Sequence, residues 1–585
     1  VGFWTMPLAW DVNEARLEVV DPEPPEEFRV LADFHKVPAS LAMWSGPTPP
    51  GGITAELVDI GEGRRSEIEK ADLQGKIALV SRRPSGIKWL LAQKGAIGAV
   101  STFTENPDLK DAYDWVNSWG DRGWGVTKDN ASLFCFTITP RQSEWVRAQL
   151  AAGRKVRLKA LVDSRYYEGS YAYATGLLRG DPGTEEVLML GHTAEQGAQD
   201  NATGVAAMAE AMMLLNRLIE TGKLPRPRRG IRMLAMGEVY GSMHYVVANP
   251  ERIRNTVAAI CLDTPAGFYH LAGTEYTFHL NPHVAKSYVD AFTMRLTESY
   301  FSRLNPKRPV REARYTMGTD SFLSDPTMGV PTVWPYSSSG VHTHHNSADT
   351  PDHVDPRSLR DLTVVAAVFV YYLASAGEED ARWLAELALS RAYGQIVSSL
   401  DPFVDRIAAA RDRDAVGRQL HDGLEMLSYM LDRESQAVES VRRLAPKTDV
   451  APLIEHLRAF RNEQASRLAQ AANHRTALLG GGGVVSPIAP PPDPKLEGAD
   501  KMVVRRKRPG TLPLDELPEP EREGWPSGAW NTRLATALYW CQGKRTLAEV
   551  VRLTRLELGP DDFDFAGYFR FLARKGYVEL LAAGR

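Results

Sequence analysis

The sequence predicts a multidomain α/β protein whose main domain is a mixed, mainly parallel sheet flanked by helices. Three observations carry this. Between residues 161 and 378, apolar runs of strand length alternate with stretches of helical spacing. The runs at 186–190, 231–236 and 258–262 are almost continuously apolar, as in parallel strands covered on both faces. The chain has 585 residues, 43% of them hydrophobic and 24% charged, which is a globular composition too long for one core.

Composition also excludes several classes. Lys and Arg total 69 against 73 Asp and Glu, so the net charge of −4 gives no global attraction to nucleic acid or an anionic membrane. Cys135, Cys261 and Cys541 are scattered, which excludes a disulfide framework or a cysteine-rich zinc module. The apolar stretch at 362–374 is shorter than the ~20 residues of a spanning helix, so no membrane anchor is expected. No basic segment leads into an apolar core after Val1. A cytoplasmic location is expected, with secretion the alternative if a leader was removed.

In chain order, residues 1–29 are expected to pack on the main domain. Residues 30–160 read as a small α/β domain, with strands at 56–60, 76–80 and from 98, and helical spacing from 87 to 95. Residues 161–378 are the main domain, with a helix expected over 204–218. Residues 379–479 carry helical spacing with few strand signals, and their apolar stripe is expected to cover the main domain or a second copy of the chain. Glycines at 480–483 and prolines from 487 to 494 mark a linker over 480–500. Residues 501–585 read as a separate unit of three helices, 531–540, 546–558 and 564–574, with a strand-like end at 576–580, as in a winged helix. Its run Arg505 to Arg508 is basic, but Glu549, Asp561, Asp562 and Asp564 would repel phosphates, so nucleic acid is not an expected partner. Deleting everything after Leu479 is expected to leave the main domain's chemistry intact.

The chemistry concentrates at strand ends of the main domain, where open α/β sheets place their sites. His192, Asp200, Glu238, Asp263 and His345 offer imidazole nitrogen and carboxylate oxygen, a donor set that suits zinc. Two His and three carboxylates are enough for two ions if one carboxylate bridges, a design for activating water and polarising a carbonyl. His342 and His353 read as loop histidines, the loop 318–322 as a pocket wall or a plain turn, and Trp334 as core.

The local strings add a family resemblance. The segment 191–205, GHTAEQGAQDNATGV, resembles the strand-loop-helix segment of the M28 zinc metallopeptidases. Residues 258–263 resemble that family's third ligand strand, and residues 345–355, HNSADTPDHVD, its final histidine signature. Residues 72–80 and 92–100 resemble a protease-associated domain, a side domain of several metallopeptidases.

The resemblance implies the zinc exopeptidase fold and a two-zinc site. Asp200 would bridge, His192 and Asp263 would hold one ion, Glu238 and His345 the other, and Asp349 would order the last loop. The family's Glu-Glu pair is here the single Glu238 in MGEVYGS, and the usual acid two residues after the first His is Ala194. The base is therefore open between Glu238, Glu195 and none. His344 stands where the aminopeptidases often carry an oxyanion-stabilising group. The single-Glu turn and the winged-helix tail are similar to an aminopeptidase-like branch of largely uncharacterised function. The expectation is an aminopeptidase or related amidase acting on a small peptide. The alternatives are a glutaminyl-cyclase-like acyl transferase or cyclase, or a metal-stabilised scaffold whose winged helix binds a partner.

Overall fold

The computed structural model describes residues 2–117, 119, 131–183, 185–193, 195–268, 275–337, 343–514, 517 and 519–582. A 13-stranded sheet runs through its first two-thirds. Its strands are β1 (Gly2–Asp21), β2 (Val30–Asp33), β3 (Ile53–Asp59), β4 (Ile77–Val80), β5 (Gly98–Ser101), β6 (Phe134–Thr137), β7 (Arg157–Leu178), β8 (Glu186–Thr193), β9 (Gly230–Gly237), β10 (Thr256–Cys261), β11 (Tyr276–His279), β12 (Val310–Ala313) and β13 (Thr332–Ser337). The spatial order is β12-β11-β13-β10-β8-β9-β7-β3-β4-β5-β6, with β1 against β7 and β2.

Two parallel blocks lie in this sheet. β9, β8, β10 and β13 are parallel, as are β3, β4, β5 and β6, and β7 joins the blocks by antiparallel pairing to β9 and β3. β8 and β10 are buried along nearly their whole length, which is why their sequences do not alternate. Helices Ala202–Glu220 and Pro356–Ser375 press apolar faces on the main block. Both are long and apolar enough to cross a membrane by length and composition, the second at 20 residues where the sequence shows only a shorter apolar run; here Pro356–Ser375 is mostly buried, and Ala202–Glu220 buries one face.

The strand pair β1–β7 is absent from the sequence reading. It pairs antiparallel from Gly2 against Tyr173 to Asp21 against Arg157, and β7 passes straight through the division drawn at 160/161. Ala15, Leu17 and Val19 alternate inward against the core of the smaller block, so the N-terminal segment packs there as well as along β7.

The three long helices Glu378–Ala409, Arg413–Glu439 and Ala451–Leu478 follow. Leu384, Ala388 and Ile396 of the first share one core with Phe292 and Phe301 of the main domain, so this chain itself covers that stripe. The tail has helices Thr532–Trp540, Leu547–Leu558 and Phe565–Arg574. Its three-stranded antiparallel sheet is formed by β14 (Met502–Arg506), β15 (Gln542–Thr546) and β16 (Val578–Ala582) in the order β15-β14-β16.

The expected independence of the tail does not hold. Tyr539, Trp540 and Phe571 belong to the same continuous core as β8 and β10. The Tyr315 and Tyr539 hydroxyls meet at 3.1 Å. Arg506, read as part of a basic run, is buried and forms a two-pronged pair with Asp325 at 2.6 and 2.8 Å, while Arg505 and Lys507 face Glu579.

Candidate metal centre

The carboxyl ends of the main parallel block deliver the candidate ligands. His192 lies on β8 and Asp200 on the loop that follows; Glu238 comes directly after β9, Asp263 just after β10, and His345 beyond β13. The structure brings all five together, with Glu195 and His344 beside them. His192 Nε2 lies 3.3 Å from Asp263 Oδ1, 3.6 Å from Asp200 Oδ1 and 3.9 Å from Glu238 Oε1. His345 Nε2 lies 3.0 Å from Asp200 Oδ2, so the two oxygens of Asp200 face opposite imidazoles.

Local chemistry explains why these loops hold. Asn201 caps helix Ala202–Glu220 by accepting from Gly204 N, accepts also from Thr264 N, and donates to Leu262 O, tying the β8 and β10 loops together. Asp349 accepts from Gln199 N at 2.9 Å and Asp200 N at 3.1 Å, which fixes the loop that carries Asp200. Gly197 is required there: a Cβ would sit 2.1 Å from Asp349 Oδ2 and 2.5 Å from Asp200 O. Val239, Thr264 and His345 adopt φ of 54°, 49° and 51°, a left-handed backbone that non-glycine residues rarely take. Each is a ligand candidate or directly follows one, the pattern expected where packing enforces a functional geometry.

Electrostatics show which charge the cluster would accept. Burial disfavours a charged His192, yet the carboxylates of Glu238, Asp263 and Glu195 outweigh it and raise its pKa well above the usual value. Burial, reinforced by the neighbouring carboxylates, raises Glu195 and Glu238 well above the usual range. Burial opposes the charge on Asp200, but the bond from His345 and the charge of both imidazoles hold its carboxyl below the usual range. Both ring nitrogens of His192 and Nδ1 of His345 are buried without a hydrogen-bond partner. Crowded acids beside orphaned imidazole nitrogens are the complement of a cation, and the N/O donor set fits zinc.

Within this cluster, three groupings of donor atoms lie close enough to share an ion: His192, Asp200 and Asp263; Asp200, His344 and His345; and His192, Glu195 and Glu238. Glu238 therefore groups with His192, whereas the resemblance pairs it with His345.

Several neighbours were not among the ligand candidates. Asp320, in the loop read as a pocket wall or a plain turn, accepts from Val239 N at 2.7 Å and from the Ser242 hydroxyl, bracing the turn after Glu238. Trp334 is more than core, since its indole donates to Asp263 O at 3.1 Å. Asn117, from the smaller block, donates to Glu195 Oε1 at 3.0 Å. Glu105 meets His344 Nδ1 at 2.8 Å. Ala194 and His342 lie outside the described residues.

Parts of this chain are similar to known proteins. Carboxypeptidase Q from Mus musculus is 22% identical over 384 residues, covering 60% of this chain and 75% of that protein. The Bos taurus protein of the same name is 22% identical over 379 residues, covering 60% and 74%. Two solved structures are also similar. A Peptidase M28 precursor from Shewanella amazonensis SB2B gives a TM-score of 0.47 at 18% identity over 64% of this chain and 83% of that one. BSAP, a zinc aminopeptidase from Bacillus subtilis, gives 0.45 at 16% identity over 63% and 85%. The family model of peptidase family M28 matches residues 175–370, the segment that carries all five ligand candidates.

Proposed function

We propose that the main domain works as an aminopeptidase on small peptides, using two zinc ions that share Asp200. The observation that carries the proposal is the convergence of the buried His192, Asp200 and Asp263 with the part-buried His345, with two faces of one aspartate presented to two imidazoles. His192, Asp200 and Asp263 would hold one ion, and Asp200 with His345 the other, while Glu238 offers a further carboxylate beside His192. Zinc bound there supplies Lewis acidity toward the scissile carbonyl and toward water.

The chain's own residues do the rest. Glu195 is the proton carrier in this proposal. Its side chain is only 1% exposed, Oε1 is held by Asn117, and Oε2 is buried without a partner 3.6 Å from His192 Nδ1. A carboxylate anchored at one oxygen, with the other turned toward His192 and Asp200, is offered here as the group that takes a proton from the attacking water and returns it to the leaving amine. Glu195 thereby replaces the missing member of the Glu-Glu pair from a different loop. Glu238, in a turn braced by Asp320, lies beside His192 and would offer a partner for the substrate's amino group.

Hydrolysis of leucyl-p-nitroanilide and of an N-acetylated copy tests this, before and after chelation and zinc return. The expected result is cleavage of the free-amine substrate alone, lost on chelation and restored by zinc. Equal cleavage of the acetylated substrate would overturn the aminopeptidase assignment. Cyclisation of an N-terminal glutaminyl peptide without anilide cleavage would favour the cyclase reading.

A further inference from the structure

The smaller parallel block sends three charged side chains toward the metal centre, all from the carboxyl ends of its strands or the loop beyond. Arg83 follows β4, Glu105 follows β5, and Asp114 lies in the loop after Glu105. Arg83 Nη2 reaches Glu105 Oε1 at 3.3 Å and Asp114 Oδ1 at 3.2 Å, and Asp114 is 1% exposed. The other oxygen of Glu105 meets His344 Nδ1 at 2.8 Å. The backbone of the same loop runs along the ligand loop: Trp115 N donates to His345 O at 2.7 Å, Ser347 N to Tyr113 O at 2.9 Å, and Asp114 bridges Asn346.

With Nδ1 occupied by Glu105, His344 turns Nε2 toward Asp200 Oδ2, 3.8 Å away, the oxygen that His345 Nε2 approaches at 3.0 Å. The two rings are stacked, with centroids 3.8 Å apart and planes within 18°. A carboxylate that accepts from one imidazole nitrogen, fixing the tautomer and aiming the other nitrogen at a cation, is the usual second partner of a metal-bound histidine. A 3.8 Å gap between Nε2 and a carboxylate oxygen is too long for a hydrogen bond, but an ion about 2.0–2.2 Å from each would span it.

We propose that His344 is the third protein ligand of the second cation, beside Asp200 and His345, and that Glu105, keyed by Arg83, is its positioning residue. The metal centre is then assembled from both parallel blocks, and the smaller one is part of the site rather than a cover over it. His344 takes the place that the family pattern gives to Glu238, which lies with His192 instead. This frees His344 from the oxyanion role that the sequence suggests. The inference rests on the two-ion reading above.

Zinc content and affinity of the full chain separate the two ideas. Wild type, His344→Ala and Glu105→Gln would be loaded with zinc, desalted and assayed by elemental analysis, then titrated against a chromogenic chelator. Circular dichroism would confirm that each variant is folded. Two ions per chain in wild type, one in H344A, and two in E105Q with the weaker one loosened about 10–100-fold would support the proposal. Two ions of unchanged affinity in both variants would overturn it while leaving the two-zinc peptidase intact. An absence of stoichiometric zinc in wild type would overturn both. Should H344A fail to fold, E105Q decides alone, since Glu105 touches the ion only through His344; an unchanged tighter ion with a loosened weaker one is the outcome a merely structural role would not give.

Discussion

Gly197 and Asp349 show how tightly single residues fix the centre. Neither is a ligand candidate, yet the two Asp349 oxygens hold the backbone amides of Gln199 and Asp200, and only a glycine at 197 leaves room for that carboxylate. Gly197→Ala should displace Asp349 and with it Asp200. A shift of about 1 Å in a catalytic group costs roughly 100-fold, so the variant should lose about that factor in kcat/KM with little change in melting temperature; full activity would show that the loop tolerates the shift. At this scale the sequence was most legible. The ligand candidates and Asp349 sit in short strings with a fixed relation to one strand end, so local order carries them. Asn117, Glu105 and Arg83 escaped because they reach the site from another part of the chain, 78 residues away for Asn117–Glu195 and 239 for Glu105–His344. Only folding makes them neighbours.

Between elements, the buried charges on the tail side set the energetics. Arg506 on β14 and Asp325 of the main domain are 4% and 0% exposed in their side chains. Removing the arginine leaves Asp325 buried with a lost counter-charge, which typically costs about 3–5 kcal/mol. Arg506→Ala should therefore lower unfolding free energy by about that amount in urea titration, and a variant within 1 kcal/mol of wild type would contradict the packing. Glu557, from helix Leu547–Leu558, is buried against His283 N, and burial pushes its carboxyl up to about 7. In the unfolded chain it titrates near about 4.3. The folded state thus binds its proton more tightly, and stability falls as pH rises from about 4.3 through about 7. Glu557→Gln lacks this loss, so its melting temperature should gain on wild type between pH 5 and pH 8; parallel profiles would refute the assignment. The helices of this region were legible because apolar spacing marks them. β1, β14 and β15 were not: β14 lies in a charge-rich stretch that pairs its arginines with Glu579 and Asp325, and β1 gains its strand character from a long partner in β7.

On the scale of the whole molecule, the tail is bound into the structure. Tyr539, Trp540 and Phe571 continue the core that supports β8 and β10. Truncation after Leu479 would expose this apolar face of the main domain, so the shortened chain should aggregate or melt at markedly lower temperature in a thermal scan. A truncated chain as soluble and stable as the full one would restore the reading of an independent tail. The order of helices and strands read from sequence did not contain this information, because proline- and glycine-rich segments look alike whether they hang free or lie against a surface. Here Ile488 N bonds to Gly417 O, and Val485 is buried.

The proposed chemistry requires cations on either side of Asp200. An anomalous difference map collected at the zinc absorption edge from crystals of the full-length chain measures that directly. Two peaks within bonding distance of the Asp200 oxygens, one beside His192 and Asp263 and the other beside His345, are the predicted result. A map with no peak near Asp200 in zinc-loaded crystals would contradict it.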